Sequence, residues 1–171
     1  MVSELENPGA APLRAIAGLI PHRRPMLAVE ELIGLSEDEA VSRTVIRPDS
    51  LFLDSRGRVE ETVLFEMAAQ TFAALAAGRR KDGPVAVADE AGFLVAVKKM
   101  SFFGRPEPGA PIEVAARVLN RVDDFSVVSG RAFQAGRLLA EGQMTILVPG
   151  SGSAWSDPLE DGPAGGGAEE P

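Results

Sequence analysis

Cysteine is absent from the 171-residue chain, and histidine occurs once, as His22. The lack of cysteine excludes disulfides, thiolate catalysis and cysteine metal sites, and one imidazole excludes zinc sites built on several histidines. The chain also lacks a run of about 20 apolar residues and a basic segment leading into an apolar one, so neither a membrane span nor a signal peptide is expected. A net charge of −8 disfavours nucleic acid as a partner. We therefore expect a cytoplasmic protein without a metal site.

The composition predicts one globular domain between two polar segments. Apolar residues make up 45% of the chain, enough for one hydrophobic core. Residues 1–12 mix Gly, Pro, Ala and Glu without periodicity, which predicts a flexible arm. Residues 149–171 are acidic and rich in Gly and Pro, which predicts a disordered tail where Trp155 is loosely docked or solvated. The domain is therefore predicted to span residues 13–148.

One long apolar run predicts a central helix over about Val59–Lys81. It is rich in alanine, and Gly78 followed by three cations is typical of a helix end. Because apolar residues lie nearly all round the helix, we expect it to be buried. Glu66 and Gln70 interrupt the apolar surface, and since they are four residues apart they share one face.

The remaining segments predict strands, with one short helix at the start. Pro21 ends the short helix, Leu13–Ile20, and alternation and turn residues bound the strands. The predicted strands are Met26–Leu35, Ala40–Ile46, Gly92–Phe103, Ile112–Val122, Phe125–Gln134 and Leu138–Val148. This order predicts an α+β fold, with an antiparallel sheet wrapped around one long central helix. Such a sheet covers the helix on one side only, so we expect a dimer that joins two sheets edge to edge.

Three motifs carry a resemblance to a known family. They are Pro21-His22-Arg23 before the first long strand, Glu66 four residues before Gln70 in the helix, and the turn Arg105-Pro106-Glu107-Pro108-Gly109. In order and spacing they resemble the 3-hydroxyacyl-[acyl-carrier-protein] dehydratases of the FabZ/FabA type. The resemblance implies a hotdog fold, a homodimer or trimer of dimers with acyl tunnels at the dimer interface, and no metal or organic cofactor. It also implies an acyl-carrier-protein or CoA thioester as the substrate.

The loop before the helix departs from the family pattern. Dehydratases of this type have a catalytic His there, in a Gly-His-Phe-Pro-Gly loop, whereas residues 47–58 contain none. Glu60-Glu61-Thr62 replaces the Pro-Gly pair that leads into the family's helix. The shortened loop is similar to the Pro-Asp-x-x-Phe loop of a branch near the dehydratases of aryl-polyene biosynthesis.

Dehydration of a 3-hydroxyacyl thioester needs a base at C2, an acid at the C3 hydroxyl and donors for the enolate-like oxygen. Glu66 resembles the family's acid, and a buried carboxyl would suit that role. His22 is the candidate base because it is the one imidazole of the chain. Amides at the helix start are expected to face the thioester carbonyl, aided by the helix dipole. The predicted substrate-binding residues are Phe52, Val63, Leu64 and Gln70.

Each of these residues also has a structural interpretation. Glu66 can pair with Arg43 or Arg117 of the sheet, Gln70 can bond to the backbone, and His22 can brace the turn before the first long strand. Asp49 and Asp54 in the shortened loop are typical turn formers. The cations Lys98, Lys99 and Arg105 suit an acidic carrier protein or its phosphopantetheine arm, or else are solvated.

Three functions remain open on the sequence. The motifs favour a dehydratase. A helix carboxylate such as Glu66 can also activate water for thioester hydrolysis. The missing loop His favours a non-catalytic hotdog subunit that binds acyl chains or pairs with an active paralogue.

Overall fold

The computed structural model describes residues 14–78 and 92–148. The predictions of an N-terminal arm, of an acidic tail with Trp155 and of cations after the helix at 79–81 lie outside the described residues. In the described ranges no helix is long and apolar enough to cross a membrane.

An antiparallel sheet of seven strands forms most of the domain. The strands are β1 (Arg14–Ala15), β2 (Glu31–Leu35), β3 (Glu39–Val45), β4 (Phe93–Phe102), β5 (Pro111–Val122), β6 (Phe125–Gln134) and β7 (Arg137–Leu147). Their order across the sheet is β1-β2-β3-β5-β6-β7-β4, and every neighbouring pair is antiparallel. The last three strands form a meander whose turns place Asp123 and Gly136 at positive φ. The predicted α+β class and the antiparallel sheet around one long helix are confirmed.

The helix α1 (Val63–Gly78) lies on one face of the sheet and contacts β2, β3, β5 and β6. Two glycines of neighbouring strands, Gly130 and Gly142, face each other in the ladder and leave room for it. A Cβ on Gly130 would lie 2.8 Å from the Cβ of Ala68, and one on Gly142 would lie 2.5 Å from the ring of Phe65. Because both distances are far below van der Waals contact, these glycines set how closely the first turns of α1 approach the sheet.

Three predictions about elements in the first half of the chain are wrong. The chain forms β1 and a 3-10 helix (Ile16–Gly18) where one short helix was expected, and the first long strand begins at Glu31 rather than Met26. The helix begins at Val63 rather than Val59, because Val59 pairs with Leu53 as an isolated β-bridge. Periodicity in an apolar run does not show this pairing, since it depends on where the preceding loop turns back.

Strand β4 lies at one edge of the sheet, and residues 93–100 are exposed. Its large side chains there are mostly apolar: Phe93, Leu94, Val95, Val97 and Met100. The helix reaches this strand at its end, where the ring of Phe65 packs edge-on against Phe102, and residues 93–100 stay exposed. An exposed, apolar edge strand is a template for pairing with another chain.

Candidate functional site

Glu66 and Gln70 meet His22 at the first turns of α1, and we call these three residues the Glu66 site. The Nε2 atom of Gln70 donates a 2.6 Å hydrogen bond to Oε1 of Glu66. The Nε2 atom of His22 lies 3.7 Å from the same oxygen, and both side chains are 38% exposed. The site is therefore open to solvent on the described chain, and the prediction of a buried Glu66 is wrong.

Gln70 ties the segment before β2 to the helix. Its side-chain oxygen accepts a 2.8 Å hydrogen bond from the backbone amide of Ala28, and its Nε2 donates a 2.9 Å hydrogen bond to the carbonyl of Met26. The residue is 1% exposed. Since the amide is bonded to Glu66 as well as to both backbone groups, Gln70 holds the site together and has no free side for a substrate.

The structural alternatives for Glu66 and His22 do not match the observed contacts. Arg43 pairs with Glu113 of the neighbouring strand, with 2.8 Å between Nη2 and Oε1, and Arg117 is exposed on β5. Arg23, rather than His22, braces the turn, since its guanidinium donates to the carbonyls of Ile20 and His22. His22 is thus left beside Glu66.

The amides expected to face a thioester carbonyl already have acceptors. The amide of Val63 donates to the carbonyl of Glu60 and that of Leu64 to Glu61, both at 3.1 Å, in the turn that opens α1. Both side chains are buried. In this conformation neither residue offers a donor to a substrate, because the three residues that replace the Pro-Gly pair wind into a turn on the helix start.

The shortened loop is held together by Asp54. Its Oδ1 accepts hydrogen bonds from the amides of Arg56 and Arg58, and its Oδ2 accepts one from Nε of Arg58. The hydrogen bond from the Arg58 amide is the main reason that the pKa of Asp54 is lowered from 3.8 to about 2, and the Arg58 side chain adds to it. Gly57, at a φ of +71°, closes the turn. Asp54 is a turn former here.

Arg105 lies against the same loop. Its Nη1 donates to the carbonyl of Val59 at 3.3 Å, and its Nε lies 3.5 Å from Oε1 of Glu61. It therefore joins the turn after β4 to the segment that enters α1. Lys98 and Lys99, the other two predicted carrier-protein contacts, are exposed on β4. The contact of all three cations with a carrier protein stays a prediction.

A cleft of about 240 Å³ lies between the end of β3 and the shortened loop. Phe52, a predicted substrate-binding residue, lines it, as does Asp49. At its rim the guanidinium groups of Arg24 and Arg47 share Oε1 of Glu30, at 2.8 and 3.1 Å. Ala28 lines the cleft and is also held by Gln70, so the segment before β2 contacts both the cleft and the Glu66 site.

Sequence reasoning indicated that Gln70 can bond to the backbone but not which residues it would join. The clamp of Gln70 on Met26 and Ala28 joins residues more than 40 positions apart, and no local pattern indicates it. The interpretation of Asp54 as a turn former is confirmed by its hydrogen bonds to the amides of Arg56 and Arg58.

Comparisons with known proteins agree with this architecture. A family model described as ApeP-like, ApeP dehydratase, matches residues 14–156. The FabZ 3-hydroxyacyl-[acyl-carrier-protein] dehydratase of Streptococcus gordonii is 26% identical over 140 residues, which cover 80% of this chain and 96% of that protein. The corresponding enzyme of Streptococcus equi subsp. zooepidemicus (strain MGCS10565) is 26% identical over 138 residues, 78% of this chain and 95% of that one.

Solved structures show the same fold. The dehydratase heterocomplex ApeI:P from Xenorhabdus doucetiae superimposes with a TM-score of 0.72 at 20% identity, covering 81% of this chain and 93% of that chain. The TT0310 protein of Thermus thermophilus gives 0.56 at 23% identity, with 74% and 98% covered. The predicted hotdog fold and the resemblance to FabZ-type dehydratases are confirmed. The chain is a dehydratase-like protein of hotdog fold and belongs to the ApeP-like dehydratase family.

Proposed function

We propose that this protein removes water from a 3-hydroxyacyl thioester at the Glu66 site, giving the 2-enoyl thioester. The observation that carries the proposal is the placement of His22 beside Glu66, 3.7 Å from its carboxylate, in a chain whose loop has no histidine. A half-exposed carboxylate with an imidazole at this distance is suited to moving a proton on a bound substrate. Family membership and the FabZ relatives support the same reaction class.

We propose that the thioester is carried by acyl carrier protein or by CoA, and that the reaction takes place in the cytoplasm. The named activity of the FabZ relatives supports a carrier-protein thioester. Lys98 and Lys99 on the β4 edge provide exposed cations for an acidic carrier protein. Arg105 contributes less to such a contact, because its guanidinium already lies against Val59 and Glu61.

The test is an enoyl-formation assay on the purified full chain. Wild type and Glu66→Gln are incubated with 3-hydroxyacyl carrier proteins and 3-hydroxyacyl-CoA thioesters of several chain lengths, and products are identified by mass spectrometry. We expect enoyl product from wild type and a loss in the variant. No enoyl product on any thioester, with the protein folded, would contradict the proposal, and free thiol released through Glu66 would point to a thioesterase.

A second candidate function rests on the β4 edge. An exposed strand that carries five large apolar side chains needs a partner. The similar structure from Xenorhabdus doucetiae is described as a dehydratase heterocomplex, which supports a hotdog paralogue as that partner. We propose that β4 pairs with β4 of a second hotdog chain, either a copy of this one or a paralogue.

Size-exclusion chromatography with light scattering tests the pairing. Val97→Asp places a charge in the middle of the exposed strand, and we expect it to yield folded monomer. Leu119→Asp is the matched control, since it changes an exposed apolar residue on β5, which lies further into the sheet. Equal dimer content in Val97→Asp and wild type would exclude β4 as the interface.

A further inference from the structure

The two ring nitrogens of His22 lie in different surroundings. Nε2 faces Oε1 of Glu66 at 3.7 Å. Nδ1 is buried and has no hydrogen-bond partner within the described residues. A neutral imidazole carries its proton on one nitrogen only. Because a buried N–H without an acceptor is rarer than an unpaired acceptor, the proton belongs on Nε2, where it points toward the Glu66 carboxylate.

An imidazole in this form is poorly placed to act as a base. Its Nε2 already carries a proton, and its Nδ1 is out of reach of a substrate because it is buried. His22 is therefore placed to donate a hydrogen bond at Nε2 rather than to accept a proton.

Both nitrogen donors of the site face the same oxygen of Glu66. Gln70 donates to Oε1 at 2.6 Å, and Nε2 of His22 lies 3.7 Å from it, a distance that can shorten when a substrate is bound. Donors that point at one carboxylate oxygen stabilise its negative charge. Oε2 accepts no hydrogen bond from any described residue, so it is the oxygen free to react.

We propose, resting on the dehydratase function above, that Glu66 alone carries the proton in this reaction. Oε2 of the carboxylate takes a proton from C2, and the C–H electron pair forms the C2–C3 double bond as the C3–O bond breaks. The same proton is passed to the departing hydroxyl, which leaves as water, and the carboxylate is restored. His22 donates a hydrogen bond from Nε2, and Gln70 is a positioning residue that fixes Oε1.

This assignment differs from the expectation from the sequence, in which Glu66 is the acid and His22, as the one imidazole of the chain, is the candidate base. It also accounts for the lost loop histidine, because a reaction with one proton carrier needs no second base. The proton removed at C2 is the one that leaves with the hydroxyl, so the cycle needs no outside acid.

The first test uses the fact that the chain has a single histidine. In ¹⁵N-histidine-labelled protein, long-range ¹H–¹⁵N correlations of the neutral ring distinguish a proton on Nε2 from one on Nδ1 without assignment work. We expect the Nε2–H form in wild type. A ring protonated on Nδ1 would overturn the proposal. This readout does not depend on turnover.

The second test compares three substitutions at His22. Gln places an amide N–H near the position of Nε2, Asn places one near Nδ1, and Ala removes both; none of the three takes a proton. We expect His22→Gln to keep activity within about tenfold of wild type, while Asn and Ala lose roughly 10- to 100-fold, as for a lost hydrogen bond to a charged group. Equal losses of about 10²- to 10⁴-fold in all three would make His22 the base and overturn the proposal.

Failure of this inference differs from failure of the proposed function. If wild type forms no enoyl product, the proposed function and the proton-carrier role of Glu66 are both contradicted, whatever the histidine signals show. If wild type is active but His22→Gln is as impaired as His22→Ala, the function holds and the assignment of roles is wrong.

Discussion

Two consecutive residues of α1, Gln70 and Thr71, each hold a polar partner, and the surroundings of the two pairs are opposite. Thr71 and Ser42 share a 2.7 Å hydrogen bond, both residues are fully buried, and Thr71 also bonds to the carbonyl of Met67. Gln70 and Glu66 share a 2.6 Å hydrogen bond, but Glu66 is 38% exposed. The first pair is closed on itself, whereas the second keeps one carboxylate oxygen free.

The difference indicates how to separate structural from reactive polar groups in a sheet-covered helix. A buried pair that bonds to itself and to the backbone stabilises the fold and offers nothing to a ligand. In the other kind of pair, one residue has all its polar groups hydrogen-bonded and the second is half-exposed. Such a pair holds a reactive group in a fixed position. Gln70 and Thr71 are thus both buried anchors, and only the anchor at Gln70 carries a group that reaches solvent.

Loss of the reactive group should have the largest effect. Glu66→Gln keeps the hydrogen bond to Gln70 but removes the proton acceptor, so we expect enoyl formation to fall by about 10²- to 10⁴-fold. Urea unfolding should show little change, because the side chain is half-exposed. A variant that keeps more than a tenth of wild-type activity would show that Glu66 is not the proton carrier.

Replacing Gln70, which holds Glu66, should affect both stability and activity. Gln70→Met keeps the volume but leaves the Ala28 amide, the Met26 carbonyl and Glu66 without their partner. We expect the free energy of unfolding to fall by roughly 2 kcal/mol or more, at about 1–3 kcal/mol for each unpaired buried group. Activity measured on the folded fraction should also fall, since Glu66 loses the hydrogen bond that fixes its position. Unchanged activity in folded Gln70→Met would contradict a positioning role.

Replacing Thr71, which bonds to Ser42, should affect stability alone. Thr71→Val keeps the shape and leaves the hydroxyl of Ser42 unpaired, so we expect a loss of about 1–3 kcal/mol in urea unfolding. Enoyl formation by the folded protein should match wild type. A selective loss of activity in Thr71→Val would mean that the two pairs are not separate, and the comparison between them would fail.

The sequence predicted the helix, the long strands along the chain and the shared face of Glu66 and Gln70, because periodicity and i, i+4 spacing are local. It did not predict where α1 starts, since that depends on Val59 pairing back to Leu53. It also predicted a buried Glu66, because an apolar run does not show which face of the helix the sheet leaves uncovered. The partner of His22 depends on a contact across 44 residues of chain.

The smallest expected effect concerns the loop that replaces the family's histidine segment. The pKa of Asp54 is lowered from 3.8 to about 2, so its carboxylate stabilises the fold at pH above about 4, and this contribution is lost as the pH falls toward 2. Asp54→Asn should therefore be less stable than wild type near neutral pH, with the difference narrowing between pH 4 and 2. Thermal unfolding at several pH values measures it, and a difference that does not narrow would contradict the assignment.

The most direct test of the account is a side-by-side measurement of enoyl formation by wild type, Glu66→Gln and Thr71→Val, with folded protein quantified in each sample. The account predicts product from wild type and Thr71→Val at similar rates and a loss of about 10²-fold or more in Glu66→Gln. Equal activity in wild type and Glu66→Gln, or none in wild type, would contradict the claim that the Glu66 site is the reactive one.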